Sequence, residues 1–444
     1  MKAEKQNNHS NEKKLSLLDT VGMSIGGMVG GGIFAVLGEA SNMSGNAAFI
    51  SFGIAGILAL ITGISYTRLT QTFDEAGGSF SYVEKLSGSG PAGTLSWFLI
   101  LGYLFTISLY AHTFGAYTSR LFGSHYGLGP YLGGLAVIIL SGINLAGVRE
   151  SGVSEDILVY AKVAILLILS GVAFSAIKPQ EFLPIMEHSP TTVIGAAALI
   201  FVGYEGFQLL TYDYNDISKR EKNLPRSVWI SIPAVIVIYM MIAFVTTGTV
   251  GDQIITKHKE TILAYVAEPI LGKAGFTIVL IAAVISTASA INATLFATAR
   301  LTKRVANDQQ LPSEITRWET GGVSVVFICI MTVFAIVIQF VGNLHQITTF
   351  SSLVFLLVFA IVNMVALIHR EYKDWYIVFP IIGSLGCFSA AVALVYDTVT
   401  TDLTTLWIIS GITAVLLILR FVYMQWHPEF LDKIERKEIK RNDI

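Results

Sequence analysis

The chain has 444 residues, of which 53% are hydrophobic and only 14% are charged, and its mean hydropathy is +0.65. Soluble domains carry roughly 25% charged residues, so the composition indicates an integral membrane protein. A formal net charge of -2 without a long basic run argues against a nucleic-acid partner. Cys329 and Cys387 lie in apolar runs, and their spacing suits neither a metal site nor a disulfide framework.

Apolar runs of about 20 residues predict helices that span the bilayer. The polar N-terminal segment 1–14 lacks the features of a cleaved signal peptide, so we expect a retained cytoplasmic tail there and a second tail at 426–444. An amphipathic stretch at 262–272 is expected outside the bilayer. About twelve spans are predicted, at 17–40, 46–67, 94–117, 130–147, 155–177, 191–213, 227–249, 273–299, 321–341, 346–368, 376–396 and 403–425.

The distribution of lysine and arginine predicts the orientation of these spans. With the N-terminus inside, 23 of the 29 basic residues fall in inside segments and 5 in outside segments. The remaining one, Lys162, lies within the fifth span. This asymmetry favours an even number of spans with both termini in the cytoplasm, in a protein of the plasma membrane.

The first span contains the glycine-rich stretch "IGGMVGGGIF" at residues 25–34. Each interior glycine costs a helix about 1 kcal/mol relative to alanine, and irregular backbone at membrane depth is tolerated only in a cavity or inside the protein. We therefore predict that the helix is interrupted at 26–32. Close packing by small residues is the alternative, and it stays open above all for Gly22 and Gly26.

An interrupted helix would expose backbone groups that suit a zwitterion. Amides at the start of the second half-helix would bind a carboxylate, assisted by the helix dipole. Carbonyl groups before the interruption would accept from an ammonium group. The pattern therefore predicts an amino acid site, whose residues on this span are Gly27, Met28, Gly30, Gly31 and Gly32.

A second weak point lies in the sixth span, at "GYEG", residues 203–206. Discontinuous helices at matching positions are typical of transporters built from inverted repeats. We expect helices 1–5 and 6–10 to form two such repeats, over 15–177 and 191–369, followed by two further helices at 375–425. Glu205 in this segment could attract a cationic substrate, titrate or form a structural hydrogen bond.

Lys162 is predicted at membrane depth, where a charged side chain is costly and is a functional candidate by default. A dry environment would favour the neutral amine, so this group could carry a coupling proton. A structural charge held by backbone carbonyls is the alternative. In the eighth span, "VISTASAINATLFATAR" (284–300), Ser286 and Ser289 share a helix face that we expect to look toward Lys162.

Four other polar residues in the spans have weaker assignments. We expect Asn292, also on the eighth span, to face the substrate pathway. His112 in the third span is interpreted as a packing histidine, although it could titrate. Asp216 is assigned to an inner gate or a capping network, and Asp213 receives no role.

Taken together, these motifs resemble the amino acid–polyamine–organocation (APC) superfamily of transporters. "GGMVGGGIF" and "FVGYEGFQ" are similar to the breaks in that family's first and sixth helices. Residues 216–228 and 289–312 resemble the loop after the sixth helix and the end of the eighth. Asp216, Arg220 and Gln309 depart from the residues that are usual there. The resemblance covers essentially the whole chain.

The resemblance implies a five-plus-five inverted-repeat fold with two extra helices and transport by alternating access. It assigns the substrate carboxylate to the amides of Gly30 to Gly32 and the amino group to the carbonyl of Met28. Lys162 matches the fifth-helix lysine of the proton-coupled, sodium-independent members. An aromatic such as Phe201 would cap the substrate in the second break, whose residues are Phe201, Val202, Gly203, Tyr204, Glu205 and Gly206.

The sequence therefore predicts a secondary active transporter of amino acids that is coupled to protons as a symporter. Its partners would be the amino acid, protons and the lipid bilayer, with no cofactor, and its oligomeric state stays open. An amino acid or polyamine exchanger without ion coupling is the alternative. Sodium coupling is disfavoured by the ammonium group of Lys162. A channel, a receptor and an enzyme are disfavoured because the sequence shows no repeated selectivity element, no extramembrane domain and no hydrolase motif.

Overall fold

The structure is a computed structural model that describes residues 14–123, 126–147, 152–178, 184–186, 188–320, 323–369 and 375–426. Within these ranges the chain is almost entirely helical. Two short strands, β1 (Glu319–Thr320) and β2 (Val323–Ser324), form an antiparallel pair. The helices are α1 (Leu17–Ser44), α2 (Ala48–Phe73), α3 (Gly78–Ser87), α4 (Ser89–Leu121), α5 (Gly129–Leu145), α6 (Gly152–Phe174), α7 (Pro190–Leu199), α8 (Arg220–Thr249), α9 (Asp252–His258), α10 (Ile262–Asn307), α11 (Val325–Val341), α12 (Leu344–Ile368), α13 (Val378–Thr401) and α14 (Leu403–Trp426).

The described residues contain nine apolar helical segments that are long enough to cross a membrane. One of these segments, Leu17–Phe73, includes both α1 and α2, and α5 and α11 are shorter apolar helices. The predicted twelve spans therefore all have a helical counterpart, and the all-α membrane class is confirmed. The predicted tails fall at 1–13 and 427–444, outside the described residues, apart from Lys14 and Trp426.

Helix ends follow local sequence signals. Ser16 precedes α1 and accepts from the N–H of Asp19, whose carboxylate accepts in turn from the N–H of Ser16. Asn343 and Gln346 form the same reciprocal box at the start of α12. Each box satisfies two of the amide groups that a helix N-terminus leaves without an intrahelical partner.

The structure departs from the predicted boundaries where polar residues continue a helix. The stretch 262–272 is a helical piece of its own, as predicted, because non-helical backbone at Gly272, where φ is +63°, separates it from the eighth span within α10. Its place outside the bilayer stays a prediction. Helix α8 begins at Arg220, well before the apolar run at 227. Helices α3 and α9 were not predicted, since both are too short and too polar to be recognised as spans.

Helix α1 lies at the centre of the bundle and contacts α6, α8, α10 and the segment that follows α7. Around it, α2 packs against α8 and α4 packs against α10. The last two helices are peripheral. Only 28% of the most apolar stretch of α13 and 22% of that of α14 is buried in the protein, whereas 89% of the corresponding stretch in Pro190–Thr211 is buried. The apolar outer faces of α13 and α14 therefore suit contact with lipid.

Candidate functional site

The sixth span is interrupted where the sequence predicts. Helix α7 ends at Leu199, and the chain continues as 3-10 turns through residues 200–211, which we call the interrupted segment. In its middle, Gly206 has φ +130°, a conformation that residues with a Cβ atom rarely adopt. A Cβ atom there would also lie 2.5 Å from the carbonyl carbon of Gly27 on α1. Backbone freedom and close approach both require glycine at this point, and the predicted break is confirmed.

The first span is not interrupted. Helix α1 runs from Leu17 to Ser44 through the whole glycine-rich stretch, so the break predicted at 26–32 is wrong. A helix at membrane depth keeps its backbone hydrogen bonds internal unless a cavity or a neighbour satisfies them otherwise. The glycines lower the intrinsic stability of this helix, but their role in the structure is to permit close packing.

The glycines of α1 let a ring and a second backbone come very close. A Cβ atom on Gly31 would lie 2.3 Å from Cδ1 of Tyr110, and one on Gly32 would lie 2.4 Å from the carbonyl oxygen of Gly203. Both distances are far below an ordinary contact between heavy atoms, so close packing explains the glycine run. Substrate binding by the amides of Gly30 to Gly32 stays a prediction. A Cβ atom on any of the other three glycines would also meet a neighbour closely. The distances are 2.7 Å from Gly26 to Val159, 3.1 Å from Gly27 to Gly206 and 3.2 Å from Gly30 to Ala290.

Side chains from α8 and α10 hydrogen-bond to the middle of α1. The hydroxyl of Tyr239 donates to the carbonyl oxygen of Met28 at 2.8 Å and lies 3.1 Å from that of Gly203, so it links α1 to the interrupted segment. The hydroxyl of Ser286 donates to the carbonyl oxygen of Val29 over 3.1 Å. The Met28 carbonyl, which was predicted to accept from a substrate, therefore accepts from the protein here. Sequence reasoning missed Tyr239, because nothing in the glycine motif signals it.

Helix α12 holds the start of the interrupted segment. The N–H of Val202 donates to the hydroxyl of Ser352 at 3.1 Å, and that hydroxyl donates in turn to the carbonyl oxygen of Leu199. The ring of Phe201 packs edge-on against Phe359, with ring centroids 5.7 Å apart. Phe201 is thus a packing residue in this structure, and its role as a substrate cap stays a prediction.

Tyr204 and Asn292 also bond to neighbouring helices. The hydroxyl of Tyr204 donates to the carbonyl oxygen of Phe52 on α2 at 2.8 Å. The side-chain oxygen of Asn292 accepts from the amide of Asn144 on α5 at 2.6 Å. These hydrogen bonds join the interrupted segment to α2 and α10 to α5, and a role of either residue in substrate binding stays a prediction.

Lys162 is buried, with 3% of its surface exposed. Its helix α6 packs against α1, α8 and α10, and Val159, one turn earlier, lies against Gly26. Ser286 is buried on α10 and Ser289 is half-buried, and their orientation toward Lys162 stays a prediction. A buried ammonium group at this depth, beside the central helix, remains a functional candidate.

Glu205 is 2% exposed and lies in the turn of the interrupted segment. Its Oε1 accepts from Nε2 of Gln208 at 2.9 Å, and the same nitrogen donates to the hydroxyl of Tyr103 at 3.2 Å. The Tyr103 hydroxyl lies 3.5 Å from that of Tyr212. A polar chain therefore connects the break to α4. Gln208 could have been found from the sequence, because it follows Glu205 by three residues and residues three apart lie on the same face of a 3-10 helix. No local pattern signals Tyr103.

One end of the bundle, where α1 begins and α10 ends, is closed by ion pairs, and we call it the basic end. Arg300 donates both arms of its guanidinium to Asp213, at 2.5 and 3.0 Å. The N–H of Leu15 donates to the carbonyl oxygen of Asp216 at 2.9 Å. The ion pair thus involves Asp213, to which the sequence assigned no role, whereas Asp216 contributes its backbone.

A second set of charges at the basic end surrounds Glu75. Lys85 lies 2.8 Å from its carboxylate, Arg304 donates to it as well, and Arg220 pairs with neighbouring Asp74 at 2.8 Å. Burial by itself raises the pKa of Glu75, but the hydrogen bonds and charges of Lys85 and Arg304 outweigh it and lower the pKa below its ordinary value. Glu75 is therefore ionised at neutral pH, and its pairing is lost only as the pH falls through that lowered pKa.

The opposite end is closed by a different set of charged groups. Glu39, near the end of α1, forms an ion pair with Lys259 at 2.7 Å and lies 3.3 Å from His345 of α12. His112 lies 3.2 Å from Glu260, so this histidine has a hydrogen-bond partner, as its interpretation as a packing residue requires. Charged side chains therefore bridge helices at both ends, with the buried middle of α1 between them.

A family model described as amino acid permease matches residues 15–419, which is nearly the whole chain. The chain belongs to the amino acid permease family. The permease is 29% identical over 399 residues to the inner membrane transport protein YbaT of Escherichia coli, covering 88% of this chain and 91% of the relative. It is 26% identical to the methylthioribose transporter of Bacillus subtilis, covering 68% of each. It is 27% identical to the large neutral amino acids transporter small subunit 2 of Mus musculus, covering 73% of this chain and 65% of the relative.

Membership confirms the resemblance to the APC superfamily that the glycine-rich motifs predicted. The permease is therefore a multi-pass membrane transporter and not an enzyme. Its glycine-rich first helix and interrupted sixth span meet at the centre of the bundle, between the two charged ends.

The ion pair at the basic end gives the first prediction. Replacing Arg300 with glutamine leaves the Asp213 carboxylate, 8% exposed, without its cation, and breaking such a pair is strongly destabilising. We expect the apparent Tm of the detergent-solubilised permease to fall by several degrees. Lys303→Gln is the matched control, because its pair with Glu319 is exposed by 43% and 41% and such pairs contribute about 0–1 kcal/mol. Equal Tm values for the two variants would show that the Asp213 pair contributes nothing.

Proposed function

We propose that this permease is a proton-coupled amino acid symporter that imports its substrate across the plasma membrane by alternating access. The substrate class is supported by the family and by a relative named for large neutral amino acids. Alternating access is supported by the charged contacts at both ends of the bundle, such as Asp213 with Arg300 and Glu39 with Lys259. The ion pairs at one end could break while those at the other end stay formed, so that the centre opens to one side of the membrane at a time.

Proton coupling is supported by one observation above all, the burial of Lys162 against the central helices. An amine with 3% of its surface exposed is stable as an ammonium only if the surroundings compensate its charge. Because burying this charge is costly, we expect the amine to lose and regain a proton as the conformation of the permease changes. In its protonated form, Lys162 would also disfavour sodium beside α1.

The proposed architecture has two inverted repeats, over 15–177 and 191–369, and the helices at 375–425 lie outside them. Contact between α1 and the interrupted segment supports this division, because these are the first elements of the two repeats. The peripheral position of α13 and α14 agrees with an accessory role. Basic residues are concentrated at the start of α8 and toward the C-terminal ends of α10 and α14. This excess supports cytoplasmic termini.

The test is uptake of labelled amino acids into proteoliposomes under a proton gradient, a sodium gradient or neither. We expect accumulation with the proton gradient alone, and collapse when a protonophore is added. Accumulation only with sodium would contradict the proposal. Uptake that needs nothing but unlabelled amino acid inside the vesicles would identify an exchanger, the alternative that the sequence leaves open.

A further inference from the structure

Arg68, near the end of α2, has a guanidinium group that lies over an aromatic ring. Its Cζ atom is 4.1 Å from the centroid of the Tyr376 ring, in the turn at 375–377 that precedes α13. The ring face attracts the cation, and this contact uses none of the five N–H donors. Within the described part of the chain, the guanidinium forms no hydrogen bond or ion pair. Arg68 can therefore donate two hydrogen bonds to an anion from outside the protein.

A row of aromatic rings leads from Tyr376 to α8. The ring centroid of Tyr376 lies 5.9 Å from that of Phe379 on α13, and the centroid of Phe379 lies 6.4 Å from that of Trp229 on α8. Trp229 is 47% exposed. Exposed tryptophan and tyrosine near the ends of spanning helices are typical of the level of the lipid headgroups. The row therefore reaches the outside of the bundle between α8 and α13.

Two further cations lie on the face of α8 that carries Trp229. Lys222 and Arg226 precede Trp229 by seven and three residues, and both are exposed. Residues at this spacing share one side of a helix. The face of α8 that meets the aromatic row is therefore positively charged toward the start of the helix.

Contacts between α2 and α8 place Arg68 at the level of these two cations. At the end of α2, Nε2 of Gln71 donates to the carbonyl oxygen of Glu221 at 2.5 Å. Two turns earlier, a Cβ atom on Gly63 would lie 2.9 Å from Cγ1 of Val228. Arg68 lies between these two contacts on α2, and the two cations lie between them on α8. The three positive charges are therefore at one depth of the bundle.

The cations outnumber the acids beside them. None of the three forms an ion pair with a residue that the structure describes, and Glu221 is the acidic neighbour of Lys222 on α8. Basic pockets between spanning helices bind anionic lipid headgroups. We call this site the aromatic–basic patch, which consists of Arg68, Lys222, Arg226, Trp229, Tyr376 and Phe379.

We propose that the aromatic–basic patch binds an anionic phospholipid of the leaflet at the basic end. The phosphodiester accepts from Arg68 and is attracted by the two cations of α8. The acyl chains lie along exposed apolar residues of the same two helices, such as Ile230 and Val378. The lipid thereby stabilises the packing of the peripheral helix α13 against α2 and α8. The inference does not depend on the transported substrate or on the coupling ion.

The experiment compares phosphatidylglycerol with phosphatidylcholine, which carry the same oleoyl chains and differ in the charge of the headgroup. Each is added to the full-length permease in dodecyl maltoside, and the apparent Tm is measured. A ligand that binds only the folded protein raises its stability. We expect phosphatidylglycerol to raise the Tm of the wild type by several degrees more than phosphatidylcholine does.

Two variants test the patch itself. Lys222→Gln combined with Arg226→Gln removes exposed charges, and Arg68→Gln removes the proposed donor. We expect each variant to lose at least half of the Tm difference between the two lipids. Lys303→Gln combined with Arg317→Gln is the matched control, because it removes two cations of the basic end that lie outside the patch. This control should keep the full difference.

Three outcomes would overturn the proposal. The first is a wild type that the two lipids stabilise equally. The second is an equal loss in the patch variants and in the control, which would show unspecific attraction to negative charge. The third is that inorganic phosphate or glycerol 3-phosphate, added without lipid, stabilises the permease as much as phosphatidylglycerol does, which would show a site for free phosphate. If Arg68→Gln does not fold, the double variant on α8 decides.

Discussion

Replacing Gly32 with alanine is expected to reduce transport at least tenfold and to destabilise the folded permease. The new Cβ atom would lie 2.4 Å from the carbonyl oxygen of Gly203 and 2.7 Å from the hydroxyl of Tyr239. The nearest atom belongs to the backbone, so relief requires α1 and the interrupted segment to move apart. Overpacking of this kind costs about 1–3 kcal/mol and occasionally more. It would also weaken the Tyr239 hydrogen bonds that join the two elements.

The matched control is Gly171→Ala in α6, where a Cβ atom would meet nothing within 4 Å. Alanine favours the helix by about 1 kcal/mol over glycine, so this variant should be at least as stable as the wild type. Initial uptake rates and apparent Tm values are compared at equal protein content. Wild-type transport by Gly32→Ala would show that the close approach of α1 to the interrupted segment is not required for function.

Much of the fold could be predicted because its signals are local. Each span is an apolar run whose length the bilayer sets, so the predicted spans match helices along the whole described chain. The break in the sixth span could also be predicted, since Gly206 stands where a side chain is excluded by both φ and contact. At Gly206, the low helix propensity of glycine and the close contact with α1 both favour an interruption of the helix.

The first span shows where local reasoning stops. A glycine run weakens a helix and also permits close packing, and the sequence alone does not distinguish the two effects. The answer depends on Tyr110 and Gly203, which are distant in sequence and approach α1 only in the folded bundle. Asp213 is a similar case, because its partner Arg300 is 87 residues away and no local pattern connects them.

The site could be predicted only in outline for the same reason. Lys162 and Glu205 are conspicuous in the sequence, because charged residues are rare at membrane depth. Their surroundings are assembled from several helices, as the hydrogen bond between Gln208 and Tyr103 of α4 illustrates. The charge of a site can therefore be recognised from sequence, whereas the side chains that orient it require the structure.

Replacing Lys162 with alanine is expected to abolish accumulation driven by a proton gradient while exchange of substrate across the membrane continues. Without the amine, the coupling proton loses its proposed binding group, so the dependence of uptake on external pH should disappear as well. Lys162→Met should behave in the same way. Methionine removes the charge but fills much of the space, and it therefore limits the cavity that alanine leaves in a buried position.

Lys178→Met provides the control for removal of a positive charge, because this lysine follows α6 and is exposed. It should keep both the proton gradient dependence and the exchange activity of the wild type. If Lys162→Ala and Lys162→Met still accumulate substrate with an unchanged pH profile, the lysine is a structural charge and the coupling proton binds elsewhere. Loss of exchange together with accumulation would likewise assign Lys162 to the structure, because a coupling group is needed only for net movement against a gradient.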